Sequence, residues 1–503
     1  MTGTTDVRTV IPSPPTDRDR PRPRIVALIV GVAAAALSIA GAGASSYWGD
    51  EAASVLSATR SLPSLFGMLA HVDAVHGAYY LCLHAWTGLV GTAEAAVRFP
   101  SGVAIGLAAA GTVLLGEQLF GLRVGILAGL VFAIIPQTTR MGAEARSSAF
   151  AIAAGVWMTV WFVSLVRRRE ARRWMWALYG LGVAASAYVF LYLVLLVVVH
   201  GVGLVVIGTR RAAVRRWAQS MVLAGVVAAP ILLLGLAQRG QIEFLARRSY
   251  ATAWSVFVRQ WFGSPAFAIL AWGLIAVALV ATVVRGRHPW RPGILIAITW
   301  LAVPTSLLLA GNAWVSPMYN LRYVAYCLPA VALLVAIGVD CLAGLARDRR
   351  SRRLALVVAL VALCVAAAPR YAAQRGPYAK DGGSDLRQTA AVVAAHAVAG
   401  DAVVFDQSTK PSRRPRLALD LYPSSFTGLD DVALLEPYAN RSFLWDRVAR
   451  NDAVHARVVA HRTVWVVEAG ADRSDVDAVR SLGYRLVRAF PVHRTTVYEL
   501  SKE

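Results

Sequence analysis

Acidic residues are scarce in the first three quarters of this chain, so the places where they stand are informative. Asp50 and Glu51 sit side by side in Tyr47-Trp48-Gly49-Asp50-Glu51-Ala52. A carboxylate there can serve as a general base toward a hydroxyl. It can also act only as helix punctuation, with Asp50 as N-cap and Glu51 in the first turn. The two roles are compatible, because a capped helix fixes the direction of the carboxylate. His71-Val72-Asp73-Ala74-Val75-His76-Gly77-Ala78-Tyr79-Tyr80 follows, then His84 and Trp86. Two histidines and an aspartate this close could ligate a metal, but the spacing matches no zinc-helix motif, and no metal site is assigned. Glu94 and Arg98-Phe99-Pro100-Ser101 come next, then Arg140-Met141-Gly142-Ala143-Glu144-Ala145-Arg146, and late in the chain Tyr319-Asn320-Leu321-Arg322-Tyr323. Arginine is suited to grip phosphate oxygens in pairs. The competing reading of Arg322 is a span-end side chain snorkelling to water.

The elements that must position these groups are membrane helices. The chain has 503 residues, 57% hydrophobic and only 16% charged, against roughly a quarter charged in soluble domains. Its net charge of +22 could suggest nucleic acid, but the arginines fall in short clusters between apolar runs, near Arg18–Arg24, Arg167–Arg173, Arg210–Arg216, Arg285–Arg291 and Arg347–Arg353. Cytoplasmic loops collect basic residues in that way, so nucleic acid is set aside. The four cysteines, Cys82, Cys327, Cys341 and Cys364, all lie in apolar segments and suggest no disulfide framework.

Eleven apolar runs are read as spans: 25–44, 99–115, 124–138, 147–166, 174–190, 191–208, 217–236, 265–284, 293–311, 323–343 and 354–368. The positive-inside rule then puts the N-terminus in the cytoplasm and everything after Arg370 outside the plasma membrane. Residues 77–91 are too short for a span and are placed as an interfacial helix on the outer surface. The domain plan is a disordered cytoplasmic stretch over 1–24, a membrane body over 25–369 and an extracytoplasmic α/β domain over 370–503. In the last of these, a helix is expected over 385–399, strands over 401–405, 463–467, 485–490 and 496–500, and a helix over 475–482. That domain carries no GxGxxG, P-loop or GxSxG motif.

Taken in order, these motifs resemble those of the GT-C superfamily of membrane glycosyltransferases, in particular the branch related to protein O-mannosyltransferases and aminoarabinose transferases. The match runs through Asp50-Glu51, through His76-Gly77-Ala78-Tyr79-Tyr80 with two prolines of the family pattern missing, and through Gly91, Glu94, Arg98, Pro100 and Ser101. It continues with Glu144-Ala145-Arg146-Ser147, where Ser148 replaces the usual tyrosine, and with Arg322, Tyr323 and Pro329. Asp385-Leu386-Arg387 and Gly400-Asp401 are similar to the outer domain of actinobacterial members.

The resemblance implies a GT-C fold and a polyprenyl-phosphate-linked sugar as donor, with mannose expected and arabinose the alternative. It implies a glycolipid, polysaccharide or protein acceptor. Asp50 would be the base of an inverting displacement, with Glu51 and Glu144 completing the catalytic acids. His76, Tyr80, Arg98, Arg146, Arg322 and Tyr323 would bind substrate. No cofactor is implied, since a phosphomonoester-linked donor needs less charge neutralisation than a pyrophosphate. An aspartate is a weak base, so positioning must supply much of the rate. The rival class is a polytopic lipid or sugar transporter, which would place ionisable residues near the bilayer midplane rather than at one surface.

Overall fold

A computed structural model describes residues 22–168, 171–284 and 289–502, so the expected disordered stretch 1–24 lies almost wholly outside the described residues. Each of the eleven apolar runs contains a helix. Among the described residues, seven helices are long and apolar enough by themselves to cross a bilayer. The bent pair Leu122–Ile134 and Pro136–Gly142, whose halves meet at 66°, is long and apolar enough when its two helices are taken together. Pro23–Ile39 and Leu191–Ile207 are shorter apolar helices, and Arg173–Val189 is a 17-residue helix that belongs to neither group. The architecture is that of an α-helical polytopic membrane protein with a C-terminal α/β unit.

Packing explains the composition of the helices. Pro23–Ile39 lies against Glu94–Phe120 so closely that a β-carbon on Gly31 would stand 2.8 Å from the Gly106 carbonyl, and one on Gly106 would stand 2.7 Å from that of Gly31. Small residues permit this approach, and dispersion between helices replaces the hydrophobic drive that lipid does not supply. The helix Leu328–Ala343 is almost entirely enclosed by its neighbours. Arg349–Ala373 instead turns Val357, Val361 and Val365 outward, as a lipid-facing helix should. At the arginine-rich end, Asp340 holds Arg123 at 3.0 Å and Arg352 at 3.6 Å.

At the other end, three short helices, Gly49–Ala58, Leu62–Leu69 and Gly77–Val90, fill the segment between the first two spans. The run 77–91 therefore packs against Gly49–Ala58, through Tyr79, Tyr80 and Leu83 beside Ala52 and Leu56.

The C-terminal unit is a five-stranded mixed sheet formed by β1 (Ala402–Phe405), β2 (Asp430–Asp431), β5 (Thr463–Ala469), β6 (Arg485–Pro491) and β7 (Thr495–Ser501), in the order β2-β1-β5-β7-β6. β3 (Leu434–Glu436) and β4 (Arg447–Val448) form a separate antiparallel pair. β2, β1 and β5 are parallel, while β7 runs against β5 and β6. Alternation of side chains divides the sheet into two faces. Val404, Val464, Val466 and Leu500 pack under Val476 and Val479 of the helix Ser474–Ser481. Val403, Phe405, Trp465 and Val467 pack under Leu386, Ala390 and Val393 of the helix Leu386–His396. This second face is continuous with Tyr47, Ala52, Val55, Tyr79 and Tyr80, so the C-terminal unit and the segment after the first span share one apolar core.

Candidate active site

The expected site residues divide into an open set and a closed set. The helix that carries Asp50 and Glu51 starts at Gly49, with Trp48 in the N-cap position and no side-chain capping bond. Asp50 is therefore not the cap, a correction to the punctuation reading. As the second helical residue it stands where the helix dipole still favours a carboxylate, and its side chain is left free to work elsewhere.

Neighbours in sequence point a helical step of about 100° apart, and that separates the two acids. Glu51 faces inward: Arg98 Nε and Nη2 donate to its two carboxylate oxygens at 2.8 and 2.6 Å, and the Ala145 amide donates at 2.9 Å. Arg98 also donates to the carbonyls of Ala42, Ser45 and Ser46. Both side chains of this pair have zero exposure. Asp50 faces outward with a side chain 42% exposed, and its Oδ2 accepts from Arg322 Nη1 at 2.9 Å. Arg322 thus reaches across to Asp50 from a segment distant in sequence, rather than snorkelling at a span end. Its guanidinium also lies 4.5 Å over the ring of Trp48.

Glu144 stands behind Arg322. The bend at Pro136 turns the second half of the broken span aside and carries Arg140 and Glu144 to this place. Glu144 Oε1 accepts from Arg140 Nε at 3.0 Å and lies 3.6 Å from Lys380 Nζ, while its Oε2 lies 4.0 Å from Arg322. Burial alone would push this carboxyl up, but Arg322, Lys380 and Arg140 together hold it well below the usual carboxylate range. Burial pushes the Lys380 ammonium down to about 8 despite Glu144. Glu144 is thus a fixed anion that braces Arg322.

Arg146 donates to the Asp50 carbonyl at 3.0 Å and to Ser54 Oγ at 3.3 Å, and Nη2 lies 3.3 Å from His76 Nε2. Loss of water around the His76 ring, then Arg146, push its pKa down to about 4, so the imidazole is neutral near pH 7 and its Nε2 can accept. Tyr80 lies beside His76 and donates to Asp73 Oδ2 at 2.8 Å. Tyr323 stacks on Tyr192 with ring centroids 4.9 Å apart and meets Phe190 edge-on, making an aromatic wall next to Arg322. Asp50, Glu144, Arg146, His76 and Arg322 come together here. Glu51 and Arg98 form the adjoining closed pair.

Several groups at the site were not anticipated. Trp48 is one, and Lys380 and Lys410 are others. The signal for the lysines was compositional: the chain has three lysines, Lys380, Lys410 and Lys502, among 51 basic residues, and two of the three stand here. Lys410 is exposed, and partial burial, then Arg413 and Arg248, push its ammonium below the ordinary lysine range. Residues 410–413 belong to the C-terminal unit and close over the Asp50 helix. A β-carbon at Gly49 would stand 2.0 Å from the Ser412 carbonyl oxygen. Gly49→Ala should therefore lift this loop and lower stability by about 1–3 kcal/mol, the cost of an overpacked contact. Thermal unfolding of the purified variant checks this, and an unchanged Tm would show that the loop does not seat there.

No protein-family model matches the sequence, and no curated protein matches it. Solved structures do. ArnT from Cupriavidus metallidurans bound to undecaprenyl phosphate superposes with TM-score 0.60 at 13% identity, covering 94% of this chain and 97% of that one. Its apo state gives 0.56 at 12% identity over the same shares, 94% and 97%. The Archaeoglobus fulgidus oligosaccharyltransferase in complex with Zn and sulfate gives 0.51 at 10% identity, over 89% of this chain and 68% of that one. At such identities the likeness is one of architecture, and the architecture this chain shares with them is the GT-C fold of polytopic membrane glycosyltransferases.

Proposed function

We propose that this protein is a glycosyltransferase that moves a sugar from a polyprenyl-phosphate carrier to a hydroxyl acceptor, with Asp50 as the base. The observation that carries this reading is the pairing of an open carboxylate, Asp50, with an arginine braced from behind by Glu144. The acceptor hydroxyl gives its proton to Asp50 as its oxygen attacks the anomeric carbon. The bond from that carbon to the phosphate oxygen breaks on the opposite face, so configuration inverts. Arg322 meets the charge that develops on the leaving phosphate, and its position is set before the reaction, which is where such stabilisation is strongest. Lys410 and Arg248 add positive charge around the same opening. Cations crowded together beside an accessible acid favour an anionic ligand.

Undecaprenyl phosphate in the similar ArnT structure supports a lipid-phosphate donor. The His76–Arg146 contact and the Tyr323–Tyr192 stack are assigned to holding the sugar and acceptor. Glu51 and Arg98 take a positioning role, one level behind the reacting groups. The arginine clusters at the other end support a cytoplasmic N-terminus, with the site and the C-terminal unit on the outer face of the plasma membrane. Mannose is the proposed sugar and arabinose the second, with a glycolipid, polysaccharide or protein as acceptor. A transporter reading is disfavoured because the charged groups of the site lie at one end of the helices rather than at mid-span.

The test is transfer from radiolabelled polyprenyl-phosphate mannose into native lipid, glycan and protein fractions, with polyprenyl-phosphate arabinose in parallel. Label moved by wild-type membranes and not by an Asp50→Ala control supports the reading and identifies the acceptor fraction. Absence of transfer from both donors, with carrier movement across vesicles instead, would replace it with transport.

A further inference from the structure

A second group of acids lies away from this site, at the carboxyl end of the parallel strands β1 and β5. Asp406 follows β1 directly, Glu468 stands near the end of β5, and Asp475 opens the helix Ser474–Ser481. One carboxylate oxygen from each lies within 4.8 Å of the other two. Asp406 is 1% exposed and Glu468 fully enclosed. Open α/β sheets place ligands in this crevice, outside the carboxyl ends of neighbouring parallel strands.

The hydrogen bonds account for only part of the charge. Asp406 accepts from the Ser408 amide at 2.6 Å and the Ala469 amide at 3.3 Å. Glu468 Oε1 accepts from the amides of Asp475 and Val476 at 2.9 and 3.1 Å. Its Oε2 is buried and has no hydrogen-bond partner among the described residues. Asp406 and Glu468 make no ion pair among those residues either. Arg414 feels the charge of Asp406 but directs its Nε to the Thr409 carbonyl at 3.2 Å. An enclosed carboxylate oxygen without a donor, beside two further acids, is costly unless a proton or a cation completes it, and a cation can serve all three acids at once.

We infer that Asp406, Glu468 and Asp475 together hold one hard divalent cation of the Ca²⁺ class. The donors are all oxygen, which suits Ca²⁺ or Mg²⁺ rather than zinc or copper. Ca²⁺ is favoured because it accepts an irregular set of carboxylates, whereas Mg²⁺ demands near-octahedral geometry and retains its waters. The ion would pin the start of the segment from Asp406 to Ser412, the same segment that seats against Gly49. It would therefore act as a structural clasp, whatever reaction the membrane half performs.

The experiment is Ca²⁺ titration of the full-length protein in detergent after chelator treatment, read by calorimetry and by thermal unfolding. One Ca²⁺ should bind per chain with Kd on the order of 10⁻⁴–10⁻³ M, as in extracellular modules, and should raise Tm. Glu468→Gln and Asp475→Asn should each weaken binding at least tenfold. In metal-free buffer Glu468→Gln should unfold at or above the wild-type temperature, because it removes a repelling buried charge, and that result separates a lost ligand from a misfolded variant. Absence of saturable binding to the folded chain, binding unchanged in both variants, or equal affinity for Mg²⁺ would overturn the assignment.

Discussion

Asp50→Asn should reduce sugar transfer by about 10²–10⁴-fold, the share that a positioned general base contributes. The amide keeps the volume of the carboxylate and can still accept a hydrogen bond from Arg322, but it cannot take a proton. The contact with Arg322, 2.9 Å in the parent, should survive as a weaker, neutral hydrogen bond, so the loss reports on the base rather than on the placement of Arg322. Stability should change little, since an ion pair this exposed contributes about 0–1 kcal/mol. The measurement is the initial rate of transfer per folded molecule, with elution profile and Tm as controls. Turnover close to wild type in a folded Asp50→Asn protein would remove this residue from the reaction. A loss confined to KM would reassign it to binding.

Arg98→Ala should behave in the opposite way, as a folding lesion. Removing one partner of a buried ion pair leaves the other charge enclosed and alone, which costs about 3–5 kcal/mol. Here the loss reaches further, because the carbonyls of Ala42, Ser45 and Ser46 lose their donor together with Glu51. Glu51→Ala should cost a similar amount. A double replacement of Arg98 and Glu51 by apolar residues of similar volume should recover part of it, since no unpaired charge then remains. Arg98→Lys should not rescue, because an ammonium cannot copy the forked contact with both carboxylate oxygens. Thermal unfolding in detergent decides this. If Arg98→Ala kept full stability and lost only donor binding, Arg98 would belong with the substrate and not with the frame.

The contrast between these two results reflects how the helix after Trp48 is laid. Asp50 and Glu51 are equivalent in sequence, and the helical rotation between them sends one into a wet opening and the other into a dry cluster. The dry residue still matters to the site. Glu51 accepts from the Ala145 amide, next to Glu144, and so ties the helix that carries Asp50 to the segment that braces Arg322.

Much of this protein was legible in its residues. The bilayer imposes runs of about 20 apolar residues on any span, so a helix could be read in each apolar run, and seven of the helices are long and apolar enough by themselves to cross among the described residues. The basic clusters marked the opposite end. In the C-terminal unit, β1, β5, β6 and β7 could be read as strands and two flanking segments as helices. β2, β3 and β4 escaped, because strands of two or three residues are too short to show alternation. The acids and arginines of the candidate site could be named because acids are scarce in the membrane half and these arginines stand apart from the basic clusters.

Three things were decided only by tertiary structure. The first is the partition of the Asp50–Glu51 pair, since burial depends on what faces each side of a helix and not on its sequence neighbours. The second is the entry of Lys380 and the loop around Ser412 into a site built mostly by the membrane half, over more than 230 residues of chain. No local pattern encodes that approach, and it exists because one face of the sheet shares its apolar core with Tyr47, Tyr79 and Tyr80. The third is the convergence of Asp406, Glu468 and Asp475, which parallel pairing of β1 with β5 brings together from separate segments. The sequence determined which residues carry charge into an apolar protein. The packing of helices and sheet determined which of those charges meet solvent, which meet one another, and therefore which can do chemistry.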